Sequence, residues 1–315
     1  MHIPVTLLTG YLGAGKTTII NALLSQNPER RFAVLVNDFG AINVDASLIK
    51  HKDGTTISLT NGCVCCSIND DIGTALDAQR AQSIPPEQVL LEASGVADPR
   101  RIATLAGHWP GFKLDAVIAA VDCETIQTRA RDKFVGALVK SQIKAADFLV
   151  LTKTDLVNAE DLGKTEQWLD TMSVHKPILK APYALLDTNM IMGPTVADRS
   201  LQNGSIVASH PAFSTSTFVP KTALHTGQLA AVLQALPPSV HRVKGIFIDA
   251  ETGLPTLMQC VGRRFDFSPA PATAPIGLVM ISANSAPDIE QVRGAFEQCQ
   301  RADRDCESAI PRTGS

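Results

Sequence analysis

Residues 10–18 read GYLGAGKTT, and from Gly10 to Thr17 this run completes the pattern G-x-x-x-x-G-K-[ST]. Glycines let a loop fold around phosphate groups with its backbone N–H groups pointing inward. Lys16 can then reach the β- and γ-phosphates, and the Thr17 hydroxyl can ligate Mg²⁺. An apolar run at residues 5–9 precedes the loop, and helical spacing follows it. The stretch predicts a strand, a helix and, between them, a phosphate-binding loop of Gly10, Gly13, Ala14, Gly15, Lys16, Thr17 and Thr18.

Further short apolar runs follow along the chain, and each ends in polar or glycine residues. They cover residues 32–36, 55–59, 89–91, 116–121 and 148–151, with helix-compatible stretches such as 72–82 and 135–145 between them. Continuous rather than alternating runs are typical of strands that helices cover on both faces. The pattern predicts an α/β fold with a doubly wound, mostly parallel sheet, whose ligands bind at the carboxyl ends of the strands.

The second part of the chain has a different composition. Residues 187–210 are rich in Gly, Pro, Ser, Asn and Thr, which predicts a linker after a nucleotide-binding domain of residues 1–186. Residues 211–306 are then expected to form a smaller α+β domain with an antiparallel sheet, and residues 307–315 a disordered tail. Its predicted elements are strands near 213–219, 242–249, 256–260 and 277–282, and helices over 224–236 and 288–299.

The bulk composition excludes several classes of protein. The 315 residues include 45% hydrophobic and 19% charged residues and carry a formal net charge of −3. This balance gives no electrostatic reason to expect nucleic acid as a partner. The sequence has neither an apolar run long enough to span a membrane nor a signal-peptide pattern. Seven cysteines, an odd number, argue against a disulfide scaffold. We therefore expect a cytoplasmic protein with no membrane partner.

A further motif predicts how the base of the nucleotide is recognised. After the run 148–151 come Thr152, Lys153, Thr154 and Asp155. The Asp155 carboxylate can accept two hydrogen bonds from the N1–H and amino groups of guanine, while the Lys153 stem lies along the base. A solvated Lys/Asp turn is the plain alternative.

Strand ends at Glu92 and Asp38 are candidates for switch loops. Glu92 begins the run EASG; its carboxylate can hold Mg²⁺ or its water, and the Gly95 N–H can sense the γ-phosphate. Asp38 lies in the run NDFG, where a first switch is expected. An ordinary strand-end charge and a plain turn are the respective alternatives. The predicted catalytic set is Lys16, Thr17, Glu92 and Asp38.

Three cysteines crowd into four positions, Cys63, Cys65 and Cys66. Three thiolates at a strand end can converge on one soft cation, such as Zn²⁺, Cu⁺ or Co²⁺, and leave a coordination position free. This openness favours transfer of an ion over permanent storage. A buried structural trio and a redox switch are the alternatives.

Together these motifs resemble the CobW-type GTPases, P-loop metal chaperones related to the GTPases that insert nickel into urease and hydrogenase. The resemblance rests on residues 10–18, 61–66 (NGCVCC), 92–99 (EASGVADP), 151–156 (LTKTDL) and 242–245 (RVKG). It implies GTP and Mg²⁺ binding, slow GTP hydrolysis, and a site for Zn²⁺ or Co²⁺ made by the three cysteines. It also implies delivery to a client metalloprotein or cofactor-pathway enzyme, and leaves a homodimer open.

The sequence departs from the family pattern in three places. Val36 and Ala41 replace two carboxylates that members often carry, Thr152 replaces a more frequent Asn, and a histidine-rich tract is absent. The last departure argues against a reservoir of ions. Two other functions remain open: a P-loop phosphotransferase acting on a small molecule, and a redox or metal sensor that binds GTP without significant turnover.

Overall fold

The computed structural model describes residues 2–38, 55–60, 67–172, 176–182, 191, 206–210, 213–262, 264–283 and 286–300. The chain divides into two compact units, His2–Met192 and Gly193–Ser315. Among the described residues, no helix is long and apolar enough to cross a membrane.

In the first unit, the described strands form a seven-stranded parallel sheet. Its strands follow the order β3-β2-β4-β1-β5-β6-β7. They are β1 (Ile3–Thr9), β2 (Phe32–Asp38), β3 (Thr55–Thr60), β4 (Gln88–Glu92), β5 (Phe112–Asp122), β6 (Phe148–Thr152) and β7 (Ile178–Ala181). The helices are α1 (Lys16–Gln26), α2 (Ser67–Arg80), α3 (Pro99–His108), α4 (Ile126–Arg131), α5 (Gly136–Ala145) and α6 (Ala159–Met172), with a 3₁₀ turn at Thr154–Leu156.

The predicted doubly wound parallel sheet is confirmed. Every residue of β4 and β6 is buried, as expected for strands covered on both faces. β4 lies between β1 and β2, and Glu92 pairs with Leu8 on one side and Val36 on the other. The strand that ends in Glu92 is therefore the direct neighbour of the strand that ends in the phosphate loop.

In the second unit, the described residues form a six-stranded antiparallel sheet and two helices. The sheet order is β12-β11-β10-β13-β9-β8. Its strands are β8 (Ile206–His210), β9 (Phe213–Phe218), β10 (Val240–Ile248), β11 (Pro255–Val261), β12 (Arg264–Pro269) and β13 (Gly277–Ala283); the helices are α7 (Thr226–Gln234) and α8 (Ala286–Cys299). Phe218, Phe247 and Phe296 help to form its core with aliphatic residues of both helices.

The structure confirms the smaller α+β unit but corrects its details. Residues 206–210, which the composition assigns to the linker, form β8 because they pair with β9. β12 was not predicted at all; it alternates apolar Phe265 and Phe267 with polar residues at the edge of the sheet. The expected tail, residues 307–315, lies outside the described residues.

Candidate functional site

The loop between β1 and α1 has the backbone that phosphate binding requires. Gly10, Gly13 and Gly15 have φ angles of 131°, 75° and 86°, which side-chain-bearing residues rarely adopt. A Cβ atom on Gly10 would lie 2.4 Å from the carbonyl oxygen of Ala120 in β5. Glycine is therefore needed at position 10 both for its dihedral angle and for the close approach to the sheet.

Lys16, Thr17 and Glu92 meet at the end of this loop. The Lys16 side chain is buried, and its Nζ lies 3.9 Å from Oε1 of Glu92, which is 2% exposed. The Thr17 hydroxyl lies 3.5 and 3.4 Å from the two carboxylate oxygens. These hydroxyl–carboxylate separations are long for hydrogen bonds. A hydroxyl and a carboxylate are the oxygen donors that Mg²⁺ takes, so the donor set fits this ion.

The loop after β4 lies directly against the phosphate loop. Its path is fixed by backbone hydrogen bonds from Ala93 N to Leu8 O (2.8 Å) and from Ala97 N to Ser94 O (2.9 Å). A Cβ atom on Gly95 would lie 2.7 Å from the backbone nitrogen of Leu12. Gly95 thus lies beside the phosphate loop, and its contact with the γ-phosphate remains a prediction.

The loop after β6 is hydrogen-bonded to the phosphate loop by Thr152, a residue that the sequence shows only as a departure from the family pattern. The Thr152 hydroxyl lies within donating distance of the Ala14 carbonyl (2.9 Å) and the Val121 carbonyl (3.2 Å). It is 7% exposed. Asp155 is exposed in the following 3₁₀ turn, so its carboxylate is accessible. Thr152 therefore connects the candidate base-reading loop to the candidate phosphate-binding loop.

Asp122, at the end of β5, holds Lys153 in place. Its Oδ2 accepts a 2.8 Å charge-assisted bond from Lys153 Nζ, and its two oxygens also accept from Glu124 N and the Thr125 hydroxyl. Lys153 has a φ of 57°, unusual for a residue with a side chain. No sequence motif identifies Asp122 as the partner of Lys153, because the ion pair joins residues 31 positions apart.

A second contact to the phosphate loop was also missed. The guanidinium of Arg129, on α4, lies 5.4 Å from the centroid of the Tyr11 ring, within cation–π range. Arg129 was not singled out because the short helix that carries it has no motif. The contact places a positive charge beside the loop and holds the Tyr11 ring.

The remaining candidates lie wholly or partly outside the described residues. β2 ends at Asp38, which pairs with Thr60 at the end of β3, but the Asp38 side chain is not described. Cys63, Cys65 and Cys66 fall between Thr60 and Ser67, outside the described residues. Their predicted metal site remains a prediction.

The cysteines in the described part of the chain have a different character. Cys123, Cys260 and Cys299 are free and buried. Burial raises the pKa of the first two thiols to about 12, so they are protonated and unreactive at neutral pH. The described ranges contain no group of three or more His, Cys, Asp or Glu residues that could hold a metal.

Comparisons with known proteins agree with this geometry. The profile described as "CobW/HypB/UreG, nucleotide-binding domain" matches residues 4–180, and "Cobalamin synthesis protein cobW C-terminal domain" matches residues 213–300. A "Zinc-regulated GTPase metalloprotein activator 1" of Schizosaccharomyces pombe is 32% identical over 197 residues, which are 59% of this chain and 47% of that protein. The chain thus spans about half the length of that relative.

Two further proteins match over a larger part of their length. A "Zinc chaperone CobW" of Pseudomonas aeruginosa is 27% identical over 307 residues, 84% of this chain and 82% of that protein. The crystal structure of the Zn(II)-bound YjiA GTPase from E. coli aligns with a TM-score of 0.47 and 22% identity, covering 95% of this chain and 99% of that one.

Proposed function

The chain belongs to the family described as CobW/HypB/UreG, and from this premise we propose that it is a GTPase that carries a divalent transition metal to a client protein. The observation that carries the proposal is the convergence of Lys16, Thr17 and Glu92 beside a loop with three left-handed glycines. This arrangement suits a triphosphate with its magnesium ion. The names of the relatives support a role in zinc handling.

In the proposed reaction, the phosphate loop stabilises negative charge on the β- and γ-phosphates. Its N–H groups and the buried Lys16 ammonium would supply positive charge that is already in place where negative charge develops. Thr17 and Glu92 would hold Mg²⁺, directly or through water, and the ion would neutralise the charge that develops on the phosphates. Asp38 is a further candidate for this role. Lys16→Ala should abolish GTP turnover.

Guanine selectivity is proposed for the loop after β6. The Asp155 carboxylate would accept the two guanine donors, and Lys153 would lie along the base because Asp122 holds its ammonium group. Adenine offers no matching pair of donors. A nucleotide-preference assay tests this part of the proposal: equal turnover of ATP and GTP, stimulated by a small-molecule acceptor, would favour the phosphotransferase instead.

The metal is proposed to bind Cys63, Cys65 and Cys66, with zinc or cobalt as the ion. Thiolates select soft and borderline cations, and three of them leave one position for a ligand of the client. β3 lies three strand spacings from β1, which is about 14 Å at about 4.8 Å per spacing. The cysteines follow the end of β3, so nucleotide state would reach them through the ends of β4 and β2. The second unit would contact the client or a second copy of the chain.

Competitive titration of Zn²⁺ and Co²⁺ against a chromophoric chelator, under anaerobic reducing conditions, tests the proposal. It is run without nucleotide, with Mg²⁺–GDP, and with Mg²⁺ and a non-hydrolysable GTP analogue. The variants are Cys63/Cys65/Cys66→Ser and, as a control, Cys306→Ser, which changes a cysteine outside the cluster. We expect tight binding only with the GTP analogue, lost in the triple variant alone. Binding independent of nucleotide, or none, would favour the redox sensor.

A further inference from the structure

A buried amide on α5 holds the loop that follows β4. Gln142 is 1% exposed, and its Nε2 donates to the carbonyl oxygens of Gly95 at 3.0 Å and Ala97 at 3.4 Å. Its Oε1 is also buried and has no hydrogen-bond partner in the described structure. An unsatisfied buried acceptor destabilises the fold, so stability alone does not favour an amide here over an apolar side chain.

The helix that carries this amide is held at both ends. Before its first turn, Asp132 accepts hydrogen bonds from the backbone nitrogens of Phe134 and Val135. After its last turn, Lys176 donates to three backbone carbonyls, those of Ile143, Lys144 and Ala146. Val139 and Ile143 anchor the middle of α5 in the core. The Gln142 side chain therefore extends from a fixed support.

On its other side, the same loop contacts the phosphate loop. The Cα of Gly95 approaches Leu12 so closely that an added Cβ would lie 2.7 Å from the Leu12 nitrogen and 2.8 Å from its Cδ2. Gly95 is thus held between the Gln142 amide and the phosphate loop. Because a trans peptide directs its C=O and N–H groups in opposite directions, fixing the Gly95 carbonyl also fixes the Val96 N–H. Because glycine has the widest range of backbone angles, the hydrogen bond from Gln142 restricts the backbone more at Gly95 than it would at another residue type.

We propose that Gln142 is a positioning residue, which acts through Gly95 to set the affinity for the γ-phosphate of the nucleotide. The inference rests on the proposed GTPase function, because it assigns to Gly95 a contact that only a triphosphate makes. Without the Gln142 donor, the Gly95 and Ala97 carbonyls lose a buried hydrogen bond, and the loop gains conformations that do not meet the γ-phosphate. GDP lacks this phosphate, so its affinity does not depend on the restraint.

The test compares Gln142→Met, which keeps the length of the side chain and removes the donor, with the wild-type protein. Fluorescence titrations measure the dissociation constants for GDP and for a non-hydrolysable GTP analogue. Loss of one buried hydrogen bond should weaken analogue binding by roughly fivefold or more and leave GDP within about twofold. The KM for GTP should rise with it. Gln127→Met is the matched control: it removes an amide whose Nε2 bonds the Thr165 hydroxyl at 3.3 Å.

A second variant, Gln142→Leu, also removes the donor, and thermal midpoints are recorded for all proteins. If both Gln142 variants keep the wild-type ratio of the dissociation constants for the analogue and for GDP, Gln142 has only a structural role and the inference is overturned. A lower thermal midpoint with an unchanged ratio overturns it in the same way. If the wild type binds no guanine nucleotide, the proposed function itself fails, and the inference fails with it.

Discussion

Replacing Thr152 with valine should weaken nucleotide binding without preference for GDP or GTP. The substitution keeps the branched shape of the side chain and removes the hydroxyl that links Ala14, in the phosphate loop, to the loop after β6. The site is buried, since Thr152 is 7% and Ala14 is 3% exposed. Water therefore replaces the lost donor poorly.

The size of the expected loss in affinity follows from the number of hydrogen bonds that the Thr152 hydroxyl can donate. One hydroxyl carries one proton, which is nearer to the Ala14 carbonyl (2.9 Å) than to the Val121 carbonyl (3.2 Å), so one hydrogen bond is at stake. Removing it and leaving a buried acceptor costs about 1–2 kcal/mol, which is a factor of roughly 5–30 in affinity. Thr152→Asn supplies two N–H donors, one for each carbonyl, and should bind at least as tightly as the wild type.

Equilibrium titration with fluorescent GDP and a fluorescent GTP analogue measures both affinities. The control is Thr171→Val on α6, which removes a hydroxyl bonded to the Trp168 carbonyl at 2.6 Å, away from both loops. If Thr152→Val binds both nucleotides within twofold of the wild type, then the hydroxyl does not position the phosphate loop. A loss confined to the GTP analogue would also contradict the reasoning, because Ala14 serves both nucleotides.

Three further predictions concern the loop glycines, α5 and the second unit. Gly10→Ala should lower the thermal midpoint and nucleotide affinity more than Gly13→Ala, because only the first Cβ meets backbone, 2.4 Å from the Ala120 oxygen; equal losses would mean that φ alone matters. Lys176→Met should lower the free energy of unfolding by about 2 kcal/mol in urea titrations, because three carbonyls lose a charged donor; the exposed Lys164→Met control should leave it unchanged. Burial lowers the pKa of His241 to about 4 from an ordinary 6.5, so protonation favours the unfolded chain. Stability should therefore fall as pH drops from about 6.5 to about 4, by up to about 1.4 kcal/mol per pH unit, and urea titrations of His241→Gln should show a flatter profile.

Much of the first unit could be predicted because its signals are local. The phosphate loop is a continuous run of residues, and each buried strand is a short apolar segment ending in polar residues. The structure adds that β4 lies beside β1, which places Glu92 next to the phosphate loop.

The contacts that organise the site could not be predicted in the same way. The bond from Thr152 to Ala14 joins residues 138 positions apart, and that from Gln142 to Gly95 joins residues 47 apart. Neither side chain belongs to a motif that identifies its partner. In the second unit, β8 forms because β9 lies beside it, and β12 has the alternating pattern of a half-exposed edge strand rather than a continuous apolar run.

The edge position of β3 separates the proposed metal site from the proposed site of GTP hydrolysis. Among the described strands, β3 pairs only with β2, whereas β1 and β4 each have a strand on both sides. Displacing β3 breaks one ladder of hydrogen bonds, while displacing either of the others breaks two. The proposed metal site thus follows an edge strand of the sheet, whereas the proposed hydrolysis site lies at central strands that are each held by two ladders. Under the proposed function, substitutions near β3 should therefore change the choice of ion without altering the proposed site of GTP hydrolysis.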